Sequence, residues 1–498
     1  MDLVRQKIEL FSVTDILYQQ YKRNPDREAV IYKSVSYTYD SIFKLVCNFA
    51  KKIDSMKITS DNVGIIIPRS LHYIISYFAV ALIGKVIVPL DPALTINEIA
   101  NTLEYCDVDT VICDSNSALK IKEINGINTI VISEDNSDLF LCNSYHDHFG
   151  CRRKGDYENT YILLHTSGSI NAPKRVMLSH KNVIENAKAH ALHLDLKEED
   201  RALIALPMYF GYCNTAQIIT HFLLGGTLIL LDGLFSPHRF LAFIDSYRIS
   251  VFTAVPTMLS QLVDHNFSDK HELSSLRQIT FGGAPMPSAT MDKLKKKLKK
   301  VNFCQTYGLT EAGPRISAVK PANANSIENT VGNAIPGVKL KVVNKLGEET
   351  SPFSIGEIIV QSPGMMKGYY KLEEETNQTI INGFLHTGDL GYVDDSGNLF
   401  LVGRLKNIII RGGINIYPEE IESYLLQNTK VKEVLVYGKD DSILGEIVHA
   451  KVVRKDATLS LDELLEFARK GLTRYKIPVF EFVDSLPRTY NNKIKRLH

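Results

Sequence analysis

From about residue 60 the chain alternates two kinds of apolar pattern. Short β-branched runs, 62-NVGIIIP-68, 86-VIVPLD-91, 110-TVICD-114 and 128-NTIVIS-133, are interrupted by helix-spaced stretches such as 70-SLHYIISYFAVALIGK-85. Strand, helix, strand in that order predicts parallel βαβ units and a layered α/β domain. A second block repeats the texture through 202-ALIALP-207, 227-TLILL-231, 250-SVFTAVP-256 and 278-QITFGGAP-285, so two similar sheets are expected, without a strict repeat. After about residue 330 short strands and turns take over: 338-VKLKVVNKLGE-348, 356-GEIIVQS-362 and 391-GYVDDSGNLFLVGR-404. Within the last, Asp395-Ser396-Gly397-Asn398 is a hairpin signal. Beyond 404 an α+β tail follows, with helices expected at 417–427 and 461–472 and strands at 432–440 and 446–455. That tail reads as a small C-terminal domain starting near 405.

Composition narrows the class of molecule. The chain has 498 residues, 45% hydrophobic and 23% charged, which is the make-up of a globular protein of more than one domain. A formal net charge of +1 supplies no field to recruit nucleic acid or an anionic bilayer, so the expected partner is a small molecule or another protein. The lysine run 293-KLKKKLKK-300 reads as the solvated face of a surface helix. The first 24 residues look like an amphipathic helix and lack the succession of a signal peptide. Apolar windows at 73–84 and 216–231 are cut by Lys85 and by His221 with Gly225-Gly226, short of a membrane span. A cytoplasmic location is the default expectation. Seven dispersed cysteines without a CxxC pair suit free thiols. Cys142, His146, His148 and Cys151 raise a metal question, but their spacing is not that of a standard zinc site and the segment reads as a surface loop.

The chemistry gathers in five stretches. In 162-ILLHTSGSINAPKRVMLSH-180 an apolar run breaks into Thr166, Ser167, Gly168 and Ser169, followed by Lys174. Small residues let backbone N–H groups approach phosphate oxygens, hydroxyls add donors and the lysine adds a charge. It is not a Walker loop, since GxxxxGK[ST] is absent. A plain Ser/Gly turn is the bland alternative. The stretch 305-QTYGLTEAGP-314 offers the Tyr307 ring, the Thr306 and Thr310 hydroxyls, and in Glu311 a carboxylate able to hold magnesium on phosphates. In 386-HTGDLG-391 an acid sits in a turn. Then 403-GRLKNIIIRGGINIYPEEIE-422 joins a basic loop to a Gly-Gly turn, and 487-PRTYNNKIKR-496 carries Lys493. Taken singly, Lys493 reads as a surface lysine, Glu311 as a helix cap and Asp389 as a turn residue.

In this order and spacing the stretches resemble the adenylate-forming superfamily of acyl- and aryl-CoA synthetases, peptide-synthetase adenylation domains and firefly-type luciferases. The resemblance runs from about residue 10 to 496, with five motifs in register. It implies an α/β fold: a large N-terminal domain (1–403) of layered α/β subdomains plus a β-rich subdomain, a hinge (404–408), and a small mobile α+β C-terminal domain (409–498). It implies a reaction as well: a carboxylate attacks the α-phosphate of Mg-ATP, pyrophosphate leaves, and a thiol displaces AMP to give a thioester. Residue by residue, the resemblance assigns Thr166, Ser167, Gly168, Ser169 and Lys174 to the β- and γ-phosphates. Gly283, Ala284 and Pro285 line the adenine and acyl pockets, Thr306 joins the nucleotide site and Tyr307 stacks on adenine. Thr310 holds the α-phosphate, Glu311 the Mg2+, and Asp389 and Arg404 the ribose. Lys493 reaches the charge developing between carboxylate and α-phosphate. Lys406 is the hinge, and Arg411, Gly412 and Gly413 wall a tunnel for the pantetheine arm after the small domain swings.

Several positions depart from the family pattern. Ile170, Asn171 and Arg175 replace Thr, Gly and Gly in the phosphate loop, Asn407 stands where many members carry an acid, and Asn492 where Gly is usual. Amino-acid-activating relatives place an aspartate in the segment 206-LPMYFGYCNT-215 to pair with the ammonium, and none is present here. The segment is similar to the LPMFHIY type of aryl and fatty acyl-CoA ligases, with Phe210 in place of histidine. An apolar pocket of Met208, Tyr209, Phe210, Tyr212 and Gly283 for an aryl or aliphatic acid is therefore expected. The acceptor is CoA or the phosphopantetheine of a separate carrier protein, with no carrier domain following Lys493. Alternatives carried forward are a catalytically weakened nucleotide-binding homologue, a stand-alone amino-acid-activating enzyme and a luciferase-like oxidase.

Overall fold

In the computed structural model the described residues are 4, 9–132, 157–166, 174–265, 273–284, 286–324, 329–488 and 494–496. The cluster of Cys142, His146, His148 and Cys151 lies outside them.

The two alternating blocks build two sheets. The first contributes Asn62–Ile66, Val86–Pro89, Val108–Asp114 and Asn128–Ile132, all parallel, and continues through Thr160–His165 to the antiparallel strand Arg175–Ser179. The second contributes Arg201–Ile204, Thr227–Leu230, Val251–Ala254, Gln278–Gly282 and Asn302–Tyr307 as parallel neighbours. The N-terminal strand Glu28–Tyr32 joins that second sheet beside Thr227–Leu230.

Alternation explains why these runs are apolar throughout. In the second sheet Val30, Ala202, Ile204 and Leu228 face one core, while Ile31, Leu203, Ala205 and Ile229 face another. In the first sheet Ile65, Ile87, Ile112 and Leu164 share the former core, and Ile66, Val88, Val111 and Cys113 face away into a third. Both sheets are thus covered on both faces, as parallel sheets require. The helices Val13–Arg23, Tyr39–Ser55, Leu71–Leu82 and His180–His193 fill the layer between them, where Phe49, Phe78, Tyr39 and Phe222 are fully buried. Truncating one such ring to alanine would cost about 3–5 kcal/mol.

Local signals set the ends of these helices. Ser70 caps Leu71–Leu82 by accepting from the Tyr73 N–H at 3.3 Å, and the chain leaves through Gly84 at φ +83°. The apolar window at 216–231 breaks at Gly225, φ +85°, into a helix end and a strand. Among the described residues no helix is long and apolar enough to cross a membrane. Lys293, Lys296 and Lys297 lie exposed on the helix Ser288–Lys297, which buries Leu294.

A five-stranded antiparallel sheet follows, formed by Lys339–Val343, Gly356–Gln361, Ile380–Ile381, Phe384–Val393 and Leu399–Arg404. Its last two long strands are joined through the expected hairpin, where Gly397 has φ +73°. Residues from 409 onward carry their own core: Ile409, Ile416, Ile421, Leu425, Val434, Val436, Val448, Val452 and Leu464 pack together. Helices Pro418–Leu425 and Leu461–Gly471 cover strands Val431–Asp441 and Gly445–Arg454 there. The layered α/β body with a small α+β C-terminal domain is the architecture the sequence led us to expect.

Candidate functional site

Several of the candidate residues, Thr166, Gly283 and Tyr307 among them, sit at the carboxyl ends of parallel strands, where open α/β sheets commonly bind ligands. Strand Thr160–His165 ends in Thr166, whose N–H donates to the Lys174 carbonyl at 3.1 Å. That bond closes the base of the Ser/Gly-rich loop, whose Ser167, Gly168 and Ser169 lie outside the described residues. Thr166 is buried and Lys174 partly exposed. Ile170 and Asn171 also lie outside the described residues, but Arg175 is 2% exposed. Its guanidinium turns to the Pro89 carbonyl and the Thr102 hydroxyl, each at 3.4 Å. The third loop departure therefore spends its charge on the core.

Next to this loop a two-residue strand, Gly368–Tyr369, pairs antiparallel with Val176 and Met177 and brings in a residue the sequence reading missed. The Tyr369 hydroxyl donates to Glu311 Oε1 at 3.0 Å, and the Lys174 ammonium lies 4.6 Å from the centre of its ring. Burial, then the neighbouring Glu311, raises the Tyr369 phenol, so it stays a neutral donor. Lys174, Tyr369 and Glu311 thus form one chain of contacts. Glu311 Oε2 accepts no hydrogen bond among the described residues, which leaves an anionic oxygen open to a hard cation, as a magnesium–phosphate site needs.

Strands Gln278–Gly282 and Asn302–Tyr307 run side by side and end together, Gly282 opposite Thr306. A Cβ on Gly282 would collide with the Thr306 backbone, so close pairing requires glycine there. The Thr306 hydroxyl donates to the Phe281 carbonyl at 3.0 Å. Beyond the strand end Gly283, φ +86°, and Ala284 are exposed, and space around Gly283 is open; Pro285 lies outside the described residues. Thr310 and Glu311 fall in a single 3-10 turn, both partly exposed.

Tyr307 is 7% exposed, and its hydroxyl donates to Asp389 Oδ2 at 2.7 Å. Arg404 Nε donates to Asp389 Oδ1 at 2.7 Å, since Asp389 and Arg404 face each other across paired strands. Burial lifts the Asp389 carboxyl above its usual range, while Arg404 and the Tyr307 hydroxyl pull it back. Thr387 and Glu357 shape this turn: the Thr387 hydroxyl accepts from the Asp389 N–H at 3.1 Å, and Glu357 Oε1 from the Gly388 N–H at 3.1 Å. Sequence reasoning missed both, although HTGDLG carries the Thr387 signal.

Lys406 is exposed in the short turn after Arg404, its ammonium lowered by partial burial and by Arg404. Asn407 Nδ2 donates to Glu419 Oε1 at 2.6 Å. Gly412 and Gly413, φ +58° and +81°, make an exposed turn, and Arg411 Nη1 donates to the Tyr475 carbonyl at 2.6 Å. Lys493 lies outside the described residues, but the chain on either side is anchored. Arg488 bridges to Ile494, and Arg496 Nη2 donates to Glu422 Oε2 at 2.8 Å and lies 3.3 Å from Glu419.

Of the candidate acid-pocket residues, Met208 is buried in the main core, whereas the rings of Tyr209 and Phe210 meet at 4.6 Å. Tyr212 is partly exposed and covers the guanidinium of Arg315, 4.2 Å from its carbon. The segment continues into a π-helix, Asn214–Ile219, a wider turn that frequently occurs at functional sites.

Known proteins resemble the chain over nearly its whole length. The sequence model of AMP-binding enzymes matches residues 17–370, and that of the AMP-binding enzyme C-terminal domain matches residues 420–493. A long-chain-fatty-acid–CoA ligase of Bacillus subtilis (strain 168) is 30% identical over 97% of this chain and 93% of its own. A 2-succinylbenzoate–CoA ligase of Bacillus licheniformis is 30% identical over 96% of this chain and 98% of its own. The solved structure of O-succinylbenzoate coenzyme A synthetase from Bacillus subtilis, in complex with ATP and magnesium ion, superposes with a TM-score of 0.86 at 29% identity. It covers 96% of this chain and 98% of that one.

Proposed function

The chain belongs to the AMP-binding enzyme family, and on that premise we propose how its residues divide the work of an AMP-forming acid–thiol ligase. The reaction is ATP-dependent activation of a carboxylic acid to an acyl-adenylate with release of pyrophosphate, followed by transfer to a thiol. We assign the substrate to the aryl or aliphatic acids, in line with relatives named as long-chain-fatty-acid–CoA and 2-succinylbenzoate–CoA ligases, and the acceptor to CoA. A cytoplasmic setting belongs to the same proposal and is supported by five buried free thiols, Cys47, Cys106, Cys113, Cys213 and Cys304.

The observation that carries the assignment is a pair of contact groups, Lys174 with Tyr369 and Glu311, and Tyr307 with Asp389 and Arg404, joined by the short segment from Tyr307 to Glu311. The first group suits a polyphosphate: Thr166 and Lys174 grip the β- and γ-phosphates with Ser167, Gly168 and Ser169, and Thr310 donates to the α-phosphate. Magnesium, when bound with ATP, neutralises phosphate charge, and Glu311 is the residue that holds it. The second group suits a nucleoside. Asp389, oriented by Tyr307 and Arg404, accepts from the ribose hydroxyls, while the Tyr307 ring flanks adenine beside Gly283, Ala284 and Pro285.

The acid lies between Tyr209, Phe210, Tyr212 and the Gly283 turn. Its carboxylate oxygen attacks the α-phosphorus as the bond to pyrophosphate breaks, and Lys493 stabilises the charge gathering on the oxygens between them. The small domain, hinged at 404–408 about Lys406, then turns so that Arg411, Gly412 and Gly413 line the path of the pantetheine thiol. That thiol attacks the acyl carbon, and AMP leaves. Trapping with hydroxylamine tests the first half-reaction: acid-dependent hydroxamate formation with ATP, and CoA thioester with CoA present, are expected. Thioester formed only with a phosphopantetheinyl carrier protein would overturn the CoA assignment.

A further inference from the structure

Among the described residues, one buried charge outside the phosphate loop has no counter-ion. Arg315 lies between the turn Thr310–Ala312 and the strand Ser317–Ala318 and is 3% exposed. Among the described residues its Nη1 donates to the carbonyl of the adjacent Pro314, at 3.2 Å, Tyr212 is a neutral side-chain partner, and its Nε and Nη2 meet no acceptor in hydrogen-bond geometry. By contrast Asp200 pairs with Arg277, Glu422 with Arg496, and Arg175 has two acceptors. A guanidinium cannot shed its proton, so an unpaired one in the interior is among the costliest arrangements a fold can hold. The face of Tyr212 offsets this only in part. Beside it also lie Asn186, whose Nδ2 donates to the Arg315 carbonyl at 2.9 Å, and His190, buried with an unpartnered Nδ1 among the described residues and kept neutral in part by Arg315.

The place of this charge indicates what it is for. A Cβ on Gly308 would come within 3.0 Å of Arg315 Cα, so Arg315 sits directly behind the Tyr307–Gly308 turn. The ring that covers it belongs to the segment we assign to the acid. The Tyr212 hydroxyl reaches the Ala254 carbonyl at 3.4 Å, the limit of a hydrogen bond, and interacts with the Arg315 guanidinium itself, so a neutral phenol holds the place that a carboxylate would fill.

We propose that Arg315, behind Tyr212, receives a second carboxylate on the substrate, so that the acid activated is a dicarboxylic acid. This rests on the acid–thiol ligase reading and names its substrate class. One carboxylate forms the bond to the α-phosphorus as pyrophosphate departs. The other is chemically unchanged: it displaces the Tyr212 ring, accepts from Nε and Nη2 of Arg315, and fixes which end of the molecule reacts.

The test measures pyrophosphate release with straight-chain monoacids, α,ω-diacids of matching length, benzoate and its carboxylated analogues. Diacids are expected to exceed matched monoacids by about 100-fold in kcat/KM. In Arg315→Met that ratio should fall to about one, while Arg315→Lys, which keeps the charge, retains part of it; AMP binding reports that each variant is folded. Monoacids used as well as diacids, or a preference that survives in Arg315→Met, would overturn the inference while leaving the ligase intact. Should Arg315→Met not fold, the wild-type ratio alone decides. Release from no acid at all would overturn the ligase reading, and the dicarboxylate with it.

Discussion

Replacing Tyr369 by phenylalanine isolates one hydroxyl in the proposed phosphate site. The ring remains, and with it the contact to Lys174 at 4.6 Å; what is lost is the bond to Glu311 Oε1 at 3.0 Å. A hydrogen bond to a charged group contributes about 1.5–3 kcal/mol. Glu311 is partly exposed, which places this one at the low end, about 1.5 kcal/mol, or roughly tenfold in an equilibrium constant. Because Tyr369 engages only Oε1, the hydroxyl orients the carboxylate without competing for its open oxygen. Its removal should therefore weaken metal binding. The assay is a Mg2+ titration of pyrophosphate release at fixed ATP. The expected result is a half-saturating Mg2+ concentration raised about tenfold, with most of the rate restored at saturating metal. An unchanged or lower Mg2+ requirement would refute the reasoning, since it would mean that the hydroxyl does not orient Glu311 or competes with the metal for it.

Lys493→Ala should lower the adenylation rate by about 100-fold or more while the protein still binds AMP, measured by stopped-flow pyrophosphate release; a wild-type rate would remove Lys493 from the mechanism. Gly308→Ala places a Cβ against the Pro314 carbonyl, so displacement of the Tyr307 turn and loss of nucleotide binding are expected; undiminished AMP affinity by calorimetry would contradict this. His221 is buried and its imidazole is pushed down to about 4, and His190 is lowered by burial as well. At these two positions the unfolded chain therefore binds more protons than the native one below pH 6.5. Each histidine should remove up to about 1.4 kcal/mol of stability per pH unit as pH falls toward 4. Urea midpoints falling from pH 7 to 5 in the wild type, and less steeply in His221→Gln, are expected; a flat profile would count against burial as the cause.

The apolar runs were legible because a parallel sheet covered on both faces needs every residue of a strand to be apolar. Gly225 and the Ser396-Gly397 turn marked their breaks for steric reasons that any sequence shows. Partnership between distant segments was not legible. Nothing in Glu28–Tyr32 announces Thr227–Leu230 as its neighbour, and nothing in Gly368–Tyr369 announces Val176. Tyr369 was missed for that reason: a two-residue strand has no periodicity, and its function comes from pairing. Arg315 was missed for another, since a lone arginine after a Pro reads as surface until the fold buries it without a counter-ion among the described residues. For Arg175, a departure noted from the motif, only the structure shows the guanidinium turned to Pro89 and Thr102.

Isotope exchange between labelled pyrophosphate and ATP tests the central claim most directly, because it reports reversible acyl-adenylate formation and needs no thiol. Exchange that requires both a carboxylic acid and Mg2+, and is lost in Lys493→Ala, is the result this account predicts. Tight nucleotide binding with no exchange across aryl, aliphatic, dicarboxylic and amino acids would contradict it and leave a nucleotide-binding protein without adenylation.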